Sequence, residues 1–257
     1  MSIKIHPSAI VSSKAKIGEN VEIGPFCVIE DDVEIGNNSC LKSFVYLANG
    51  TRIGLDNLIY QYACIATEPQ DLRFDGHPTY VVIGNNNTIR ENATIHRASH
   101  SERTMIGNDN LIMAYSHIAH DCKIGNKCII SNGTQLAGHV EIEDWVTLGG
   151  LVGVHQFTKI GCHSMVGAKV YLTKDVSPYC LIGKNPAKVE GINRIGLKRR
   201  GFTGDSIHEI DSFYRFIFHS EFNITDGISE FKKSHILTPQ ISHIIEFIEN
   251  SQRGVYR

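Results

Sequence analysis

Branched aliphatic residues return at every sixth position along most of this chain. From Ile106 the frame runs through Ile112, Ile118, Ile124, Ile130, Leu136, Ile142, Leu148, Val154, Ile160 and Val166 to Leu172 without a gap. Isoleucine, leucine and valine fill about a quarter of the 257 positions, so twelve successive matches have chance odds on the order of one in ten million. The same frame starts at Ile5 and runs through Val11, Ile17, Ile23, Ile29, Ile35, Leu41, Leu47, Ile53 and Ile59 to Ile65. It fails at Asp71 and His77 and resumes at Ile83, Ile89 and Ile95. A period of six fits neither a helix nor an alternating strand, and hexapeptide repeats mark parallel β-helices. Three hexads make one eighteen-residue coil, and successive coils pair as parallel strands about 4.8 Å apart. Residues eighteen apart therefore stack in columns.

The position two before each aliphatic is small or β-branched, as at Thr104, Ser116, Cys122, Cys128, Thr134 and Val140, which suits a narrow interior. Glycine often follows the aliphatic, as at Gly107, Gly125, Gly149, Gly161 and Gly167, where a corner favours a residue without Cβ. Two interruptions predict excursions from the coil. One spans Thr67 to Tyr80, and the other lies near Ala98 to Arg103 with the polar composition of an exposed loop. Past Leu172 the pattern frays and gives one last Ile182-Gly183. A helical period then takes over: Ile207, Ile210, Phe213, Tyr214, Ile217 and Phe218 form a stripe, with Ser206 and Glu209 as a capping box. Further helices are expected from Thr225 or Asp226 to Lys233, and from Thr238-Pro239 through Ile248. The reading is a mainly β chain, with a hexapeptide-repeat β-helix over 1–190 and a C-terminal α-helical domain over 191–257 that covers the last coil's open edge.

Composition narrows the functional classes. The formal net charge of −2 argues against wholesale nucleic-acid binding. No apolar run approaches a membrane span, and the start of the chain carries no basic segment followed by an apolar signal core, so a cytoplasmic location is expected. The seven cysteines are odd in number, and Cys27, Cys122 and Cys128 occupy the small interior slot, so reduced, packed thiols are expected rather than disulfides, and no metal is expected. One local charge imbalance stands out. Lys184, Lys188, Arg194, Lys198, Arg199 and Arg200 face a single acid, Glu190, in sequence, which reads as a solvated surface or a seat for an anion such as phosphate.

Stacking by eighteen turns part of the repeat into a candidate site. His120, Gly138 and Gln156 share one column, and Asp121, His139 and Phe157 share the next. His117, His120, His139 and His155 cluster about them. A histidine titrates near neutral pH and suits a general base, with the adjacent Asp121 to orient its ring. Gly138 places a backbone amide where it can stabilise an oxyanion, or is an ordinary repeat turn. No serine or cysteine sits in a strained strand-to-helix turn, so direct transfer assisted by a base is favoured over covalent catalysis.

Particular segments sharpen this reading: IGPFCVI near Gly24, LKSFV near Lys42, QDLRFDG at Gln70, TIHR at His96, HIAHDCKIGN at His117, LAGHVEI at Gly138, VHQF at His155 and GLKRRGF at Arg199. They are spread over most of the chain, which resembles the UDP-N-acetylglucosamine 3-O-acyltransferases, the hexapeptide-repeat acyltransferases that begin lipid A biosynthesis. The resemblance implies a left-handed coil, against the usual crossover rule, and a homotrimer with active sites between subunits. It implies His120 as the base that takes the sugar 3-hydroxyl proton, Asp121 as its orienter and Gly138 as the oxyanion donor. His117, His139, His155 and Gln156 would shape the site and contact substrate. Gln70, within its QDLRFDG segment, and Asp71, Arg73 and His96 would handle the sugar; Asn193 and Arg200, assisted by Arg199, would lie near the nucleotide and its phosphates. The acyl group would arrive on the phosphopantetheine of acyl carrier protein, with no further cofactor.

Three positions depart from the family pattern. Arg73 stands in place of lysine, and a planar guanidinium is a poor substitute for a point charge. Pro186 replaces a histidine. Ala168 stands where glycine leaves room for the far end of a long acyl chain, so its methyl is expected to shorten the preferred chain. Competing readings are the same chemistry on a 3-amino UDP-sugar, a metal-dependent carbonic anhydrase-like enzyme of the same repeat, and a non-catalytic scaffold. Acyl length, a 3-hydroxyl requirement on the donor and the choice between hydroxyl and amine acceptors stay open at this level.

Overall fold

The computed structural model describes residues 3–219 and 221–257. Among them, short strands repeat in turn through three sheets of eleven, nine and eight strands. One coil shows the rule: Leu111–Ile112 lies in the first sheet, His117–Ile118 in the second and Lys123–Ile124 in the third. Each pairs in parallel with the residues eighteen later, Ile112 with Ile130, Ile118 with Leu136 and Ile124 with Ile142. The coil is a left-handed parallel β-helix, with one sheet on each face of a triangular prism. Ile59 pairs with Ile89 across the first excursion, and Ile95 with Ile118 across the second, so the coil closes again beneath both.

The repeat aliphatics fill the interior. Ile59, Ile89, Ile112, Ile130 and Leu148 are fully buried, each worth about 1.5–3 kcal/mol of burial. The first coil has no layer beneath it, and Ile5 and Ile10 remain 45% and 69% exposed. Cys27, Cys122 and Cys128 are buried free thiols in the small interior slot, as expected. Asn57, Asn87 and Asn110 also occupy it and build a polar ladder. The Asn57 side-chain oxygen accepts from the Asn87 amide at 2.9 Å, that of Asn87 from Asn110 at 2.9 Å and that of Asn110 from Cys128 at 2.7 Å. Buried amides are tolerated because each finds a partner.

Corners answer the glycine expectation differently. Left-handed backbone falls mostly on non-glycine residues, including Asp121, His139 and Phe157 at φ of 62°, 60° and 63°, with Gly133 an exception at 68°. The glycines after the aliphatics serve close approach: a Cβ on Gly107 would lie 2.6 Å from the Gly125 carbonyl oxygen of the next coil.

The last coil is covered by two kinds of structure. Cys180–Gly183 pairs antiparallel with Lys188–Ile192, a strand the hexad pattern does not announce, and this hairpin ends the first sheet. The boundary read between 190 and 191 falls inside that second strand. Among the described residues four helices follow: α1 (Arg194–Arg199), α2 (Gly204–His219), α3 (Ile224–Ser234) and α4 (Pro239–Glu249). Ile210, Phe213, Ile217, Ile241 and Ile244 form their core, and the Tyr214 hydroxyl donates to the Pro178 carbonyl at 2.6 Å. The capping box at Ser206 and Glu209 is corrected: α2 begins earlier, and Thr203 Oγ1 accepts from the Ser206 amide at 3.2 Å. A threonine before the helical stripe competes as a cap with the serine inside it. No helix among the described residues is long and apolar enough to cross a membrane.

Candidate active site

The corner between the second and third sheets carries the histidine column. At each turn the residue in left-handed backbone projects outward, so Asp121, His139 and Phe157 stand above one another. His139 stacks on Phe157 with centroids 4.5 Å apart and meets the His120 ring edge-on at 5.3 Å. Gly138 sits directly above His120. A Cβ there would lie 2.5 Å from His120 Cε1 and 2.8 Å from Nε2, so the imidazole lies flat across the glycine because nothing projects from it.

His120 is tautomerically defined. Nδ1 lies 2.7 Å from Asp121 Oδ2, and a carboxylate at that distance accepts the ring proton, leaving the Nε2 lone pair free. Asp121 is fixed in turn by the second excursion. Its Oδ1 accepts from the Ser101 amide at 2.7 Å and the Ser101 hydroxyl at 2.6 Å, and its Oδ2 accepts from the Ser99 amide at 3.1 Å. The His100 amide reaches both oxygens at 3.2 Å. Burial alone would raise the Asp121 pKa, but the bonds from Ser101, His120 and Ser99 outweigh it and hold the carboxyl well below the usual range.

Asp71, from the first excursion, reaches the same place. Its Oδ2 lies 4.0 Å from His120 Nε2 and accepts from His100 Nε2 at 2.7 Å and Ser99 Oγ at 3.2 Å. The Arg73 guanidinium grips both carboxylate oxygens at 3.2 Å, which leads the causes depressing the Asp71 pKa. Arg73 thus engages bidentately in the manner open to a guanidinium. Below lies His96, buried and edge-on to His117 at 4.6 Å. Its pKa is pushed down to about 4, by burial first and then by His117 and His120, and its Nδ1 has no partner among the described residues. The His117 pKa is also lowered, chiefly by burial, and Nδ1 pairs with Thr94 Oγ1 at 2.8 Å. His155 pairs with the Gln156 carbonyl oxygen at 3.0 Å, and Gln70 and Gln156 are exposed.

Ser99, His100 and Ser101 are absent from the candidate residues read from sequence. Their polar run reads as an exposed loop, yet Ser99 is 3% exposed and the backbone of all three wraps a carboxylate. The available signal was position: this excursion leaves the coil just after His96 and returns one layer below Asp121.

Four predicted residues, Asn193, Arg199, Arg200 and Ala168, occupy other corners of the same chain. Asn193 caps α1, its Oδ1 accepting from Gly196 and its Nδ2 donating to the His163 carbonyl at 2.9 Å. Arg200 lies over Trp145 at 5.2 Å and reaches His163 Nδ1 at 3.3 Å. Together with Arg199, Lys127, Trp145 and Met165 they line a cleft of about 1440 Å³ against the corner between the third and first sheets. Ala168 sits exposed at the remaining corner, between strands of the first and second sheets.

Comparison with known proteins identifies the lineage. The description "Bacterial transferase hexapeptide (six repeats)" fits residues 14–49 and 103–138, and "Udp N-acetylglucosamine O-acyltransferase; Domain 2" fits residues 175–256. The acyl-[acyl-carrier-protein]–UDP-N-acetylglucosamine O-acyltransferase of Burkholderia lata is 49% identical over 99% of each chain. The solved UDP-N-acetylglucosamine acyltransferase of Francisella novicida is 40% identical, with a TM-score of 0.95 over 98% of this chain and 94% of that one. The one from Bacteroides fragilis is 39% identical, with a TM-score of 0.95 over 98% and 100%. Sequence agreement and coil geometry run from one end to the other, and the chain belongs to the acyl-[acyl-carrier-protein]–UDP-N-acetylglucosamine O-acyltransferase family.

Proposed function

We infer that this enzyme moves a fatty acyl chain from acyl carrier protein to the 3-hydroxyl of UDP-N-acetylglucosamine, the first step of lipid A biosynthesis, with His120 as general base. The observation that carries the mechanism is the His120–Asp121 pair, whose free Nε2 lies over Gly138. The sugar hydroxyl oxygen attacks the thioester carbonyl carbon while its proton passes to Nε2. Asp121 stabilises the imidazolium that forms. The oxyanion of the tetrahedral intermediate accepts from the Gly138 amide. That amide is outside the ladder: Ala137 donates to Val154 and His139 to His120, and no acceptor is bonded between them among the described residues. Collapse expels the pantetheine thiolate, which takes the proton back from His120.

Substrate placement follows from chemistry around the base. Asp71 accepts hydrogen bonds beside Nε2, which suits a sugar hydroxyl or amide, with Arg73 and His100 holding it. His96, His117, His139, His155, Gln70 and Gln156 complete the surface that the sugar and the acyl thioester cross. Asn193, Arg199 and Arg200 suit the diphosphate and nucleotide. These three residues lie on a different corner of the prism from His120, and Ala168 on a third. One molecule of UDP-sugar therefore meets both sets only where two copies lie side by side, which supports a trimer with shared sites.

Mass spectrometry of the product from UDP-N-acetylglucosamine and a panel of 3-hydroxyacyl carrier proteins tests the reading. An acylated nucleotide sugar is expected, with His120→Ala slowed about 10²–10⁴-fold. Acylation of the 3-amino sugar alone would keep the base and change the substrate. Full activity of His120→Ala would refute the assignment.

A further inference from the structure

A second constellation lies away from the histidine column, where α4 meets the coil. Glu143 follows the strand Glu141–Ile142, Cys162 stands one coil later, and His243 comes from α4. One donor atom from each, a carboxylate oxygen, Sγ and an imidazole nitrogen, lies within 4.8 Å of both others. The acyl-transfer mechanism uses none of them.

Each donor is held by its surroundings. Glu143 Oε2 accepts from the Cys162 amide at 2.7 Å and pairs with His243 Nε2 at 2.8 Å. The Cys162 carbonyl accepts from the Tyr179 amide at 2.7 Å, so that residue is pinned on both sides. His243 stands on α4 with its side chain partly exposed, and its bond to Glu143 is what joins that helix to the coil here. With the thiol ionised and the imidazole neutral, the three donors carry two negative charges, matching a divalent cation.

We propose that Glu143, Cys162 and His243 bind a zinc ion that staples α4 to the β-helix. A thiolate excludes magnesium and calcium, which take oxygen ligands, while mixed sulfur, nitrogen and oxygen donors suit zinc. Bonds of about 2.0–2.3 Å place tetrahedral donors roughly 3.2–3.7 Å apart. Glu143 and His243 need to part slightly and Cys162 to close in by at most about 1 Å. Three protein ligands leave a fourth position for water. Metal takes the place of the protons on the thiol and imidazole, so binding releases protons. Because the staple joins segments about eighty residues apart in sequence, it closes a long loop, the case in which a clip restrains the unfolded chain most.

The test uses the full chain, reduced and stripped by chelator, titrated with cobalt and then zinc. Cobalt at this site gives a sulfur charge-transfer band in the near ultraviolet, at one ion per chain, that zinc bleaches. Zinc at about 100-fold excess over its dissociation constant raises the melting temperature by several degrees. Cys162→Ser and His243→Gln should each remove the zinc-dependent rise, and Cys162→Ser should remove the band while melting near wild type without metal. Absence of the band in the wild type overturns the proposal and leaves a Glu143–His243 ion pair alone. Binding that survives Cys162→Ser but is lost in His139→Ala also overturns it, placing the ion at the His120, Asp121 and His139 group.

Discussion

Replacing Gly138 by alanine adds one methyl group at the centre of the site. On the present backbone that Cβ lies 2.5 Å from His120 Cε1, 2.8 Å from Nε2 and 3.1 Å from Nδ1, whereas carbon atoms in contact settle at about 3.5–4.0 Å. The imidazole must retreat by about 1 Å. It is held elsewhere by the 2.7 Å bond to Asp121 and by the edge-on ring of His139, so the retreat turns Nε2 away from the attacking hydroxyl. Displacement on that scale lowers rates by about 100-fold, or roughly 3 kcal/mol of transition-state stabilisation. Gly138 is not among the residues in left-handed backbone, and its neighbours' ladder bonds do not involve its side. Folding should therefore tolerate the methyl. The assay is steady-state acyl transfer with both substrates varied, beside a thermal melt. A fall in kcat with little change in KM or melting temperature is expected. Wild-type kcat would refute the reasoning, and an equal loss of stability would show that the glycine serves the coil rather than the base.

Asp121→Ala strands the amides of Ser99, His100 and Ser101, each worth about 1–3 kcal/mol if left buried and unpaired, so it should lower the denaturation midpoint and mobilise residues 99–101 in hydrogen exchange; Asp121→Asn should keep most of the fold and lose activity. His100→Ala should raise KM for the nucleotide sugar with little effect on the urea midpoint, since its ring is partly exposed and serves Asp71; unchanged kinetics would remove it from the site. Buried His96 titrates near 4 rather than 6.5, so the unfolded chain binds a proton that the folded one refuses. Its contribution is therefore lost as pH falls from about 6.5 to about 4, by up to roughly 3 kcal/mol. Denaturation of wild type and His96→Phe at pH 7 and 4.5 should show a smaller drop in the variant, and equal drops would exclude His96 as the cause. Ala168→Gly should shift donor preference toward longer acyl chains in the carrier panel, and an unchanged profile would free Ala168 of that role.

Periodicity alone determined the coil. Stacking by eighteen is arithmetic once strands are parallel and in register, so the columns holding His120 with Gly138 and Asp121 with His139 and Phe157 could be written down before any coordinates. The later helices were nearly as legible: α4 opens after Thr238 as expected, and α3 covers the expected span, although Asn223 caps it ahead of Thr225 and Asp226. These features are local or repeat exactly once per layer, and no distant contact competes with them.

Tertiary structure decided the rest. Whether Ser99, His100 and Ser101 float in solvent or wrap a carboxylate depends on Asp121 lying one layer away, which their composition does not encode. The strand Lys188–Ile192 forms because the last coil offers an unpaired edge, not because its residues alternate cleanly. Thr203 outcompetes Ser206 as the cap of α2 through its place in the turn after α1. Sequence proximity also gave no warning that the predicted site divides among three corners of the prism. A corner assignment follows from where each residue falls within its hexad, and only closing the coil in three dimensions shows that His120, Arg200 and Ala168 face different ways.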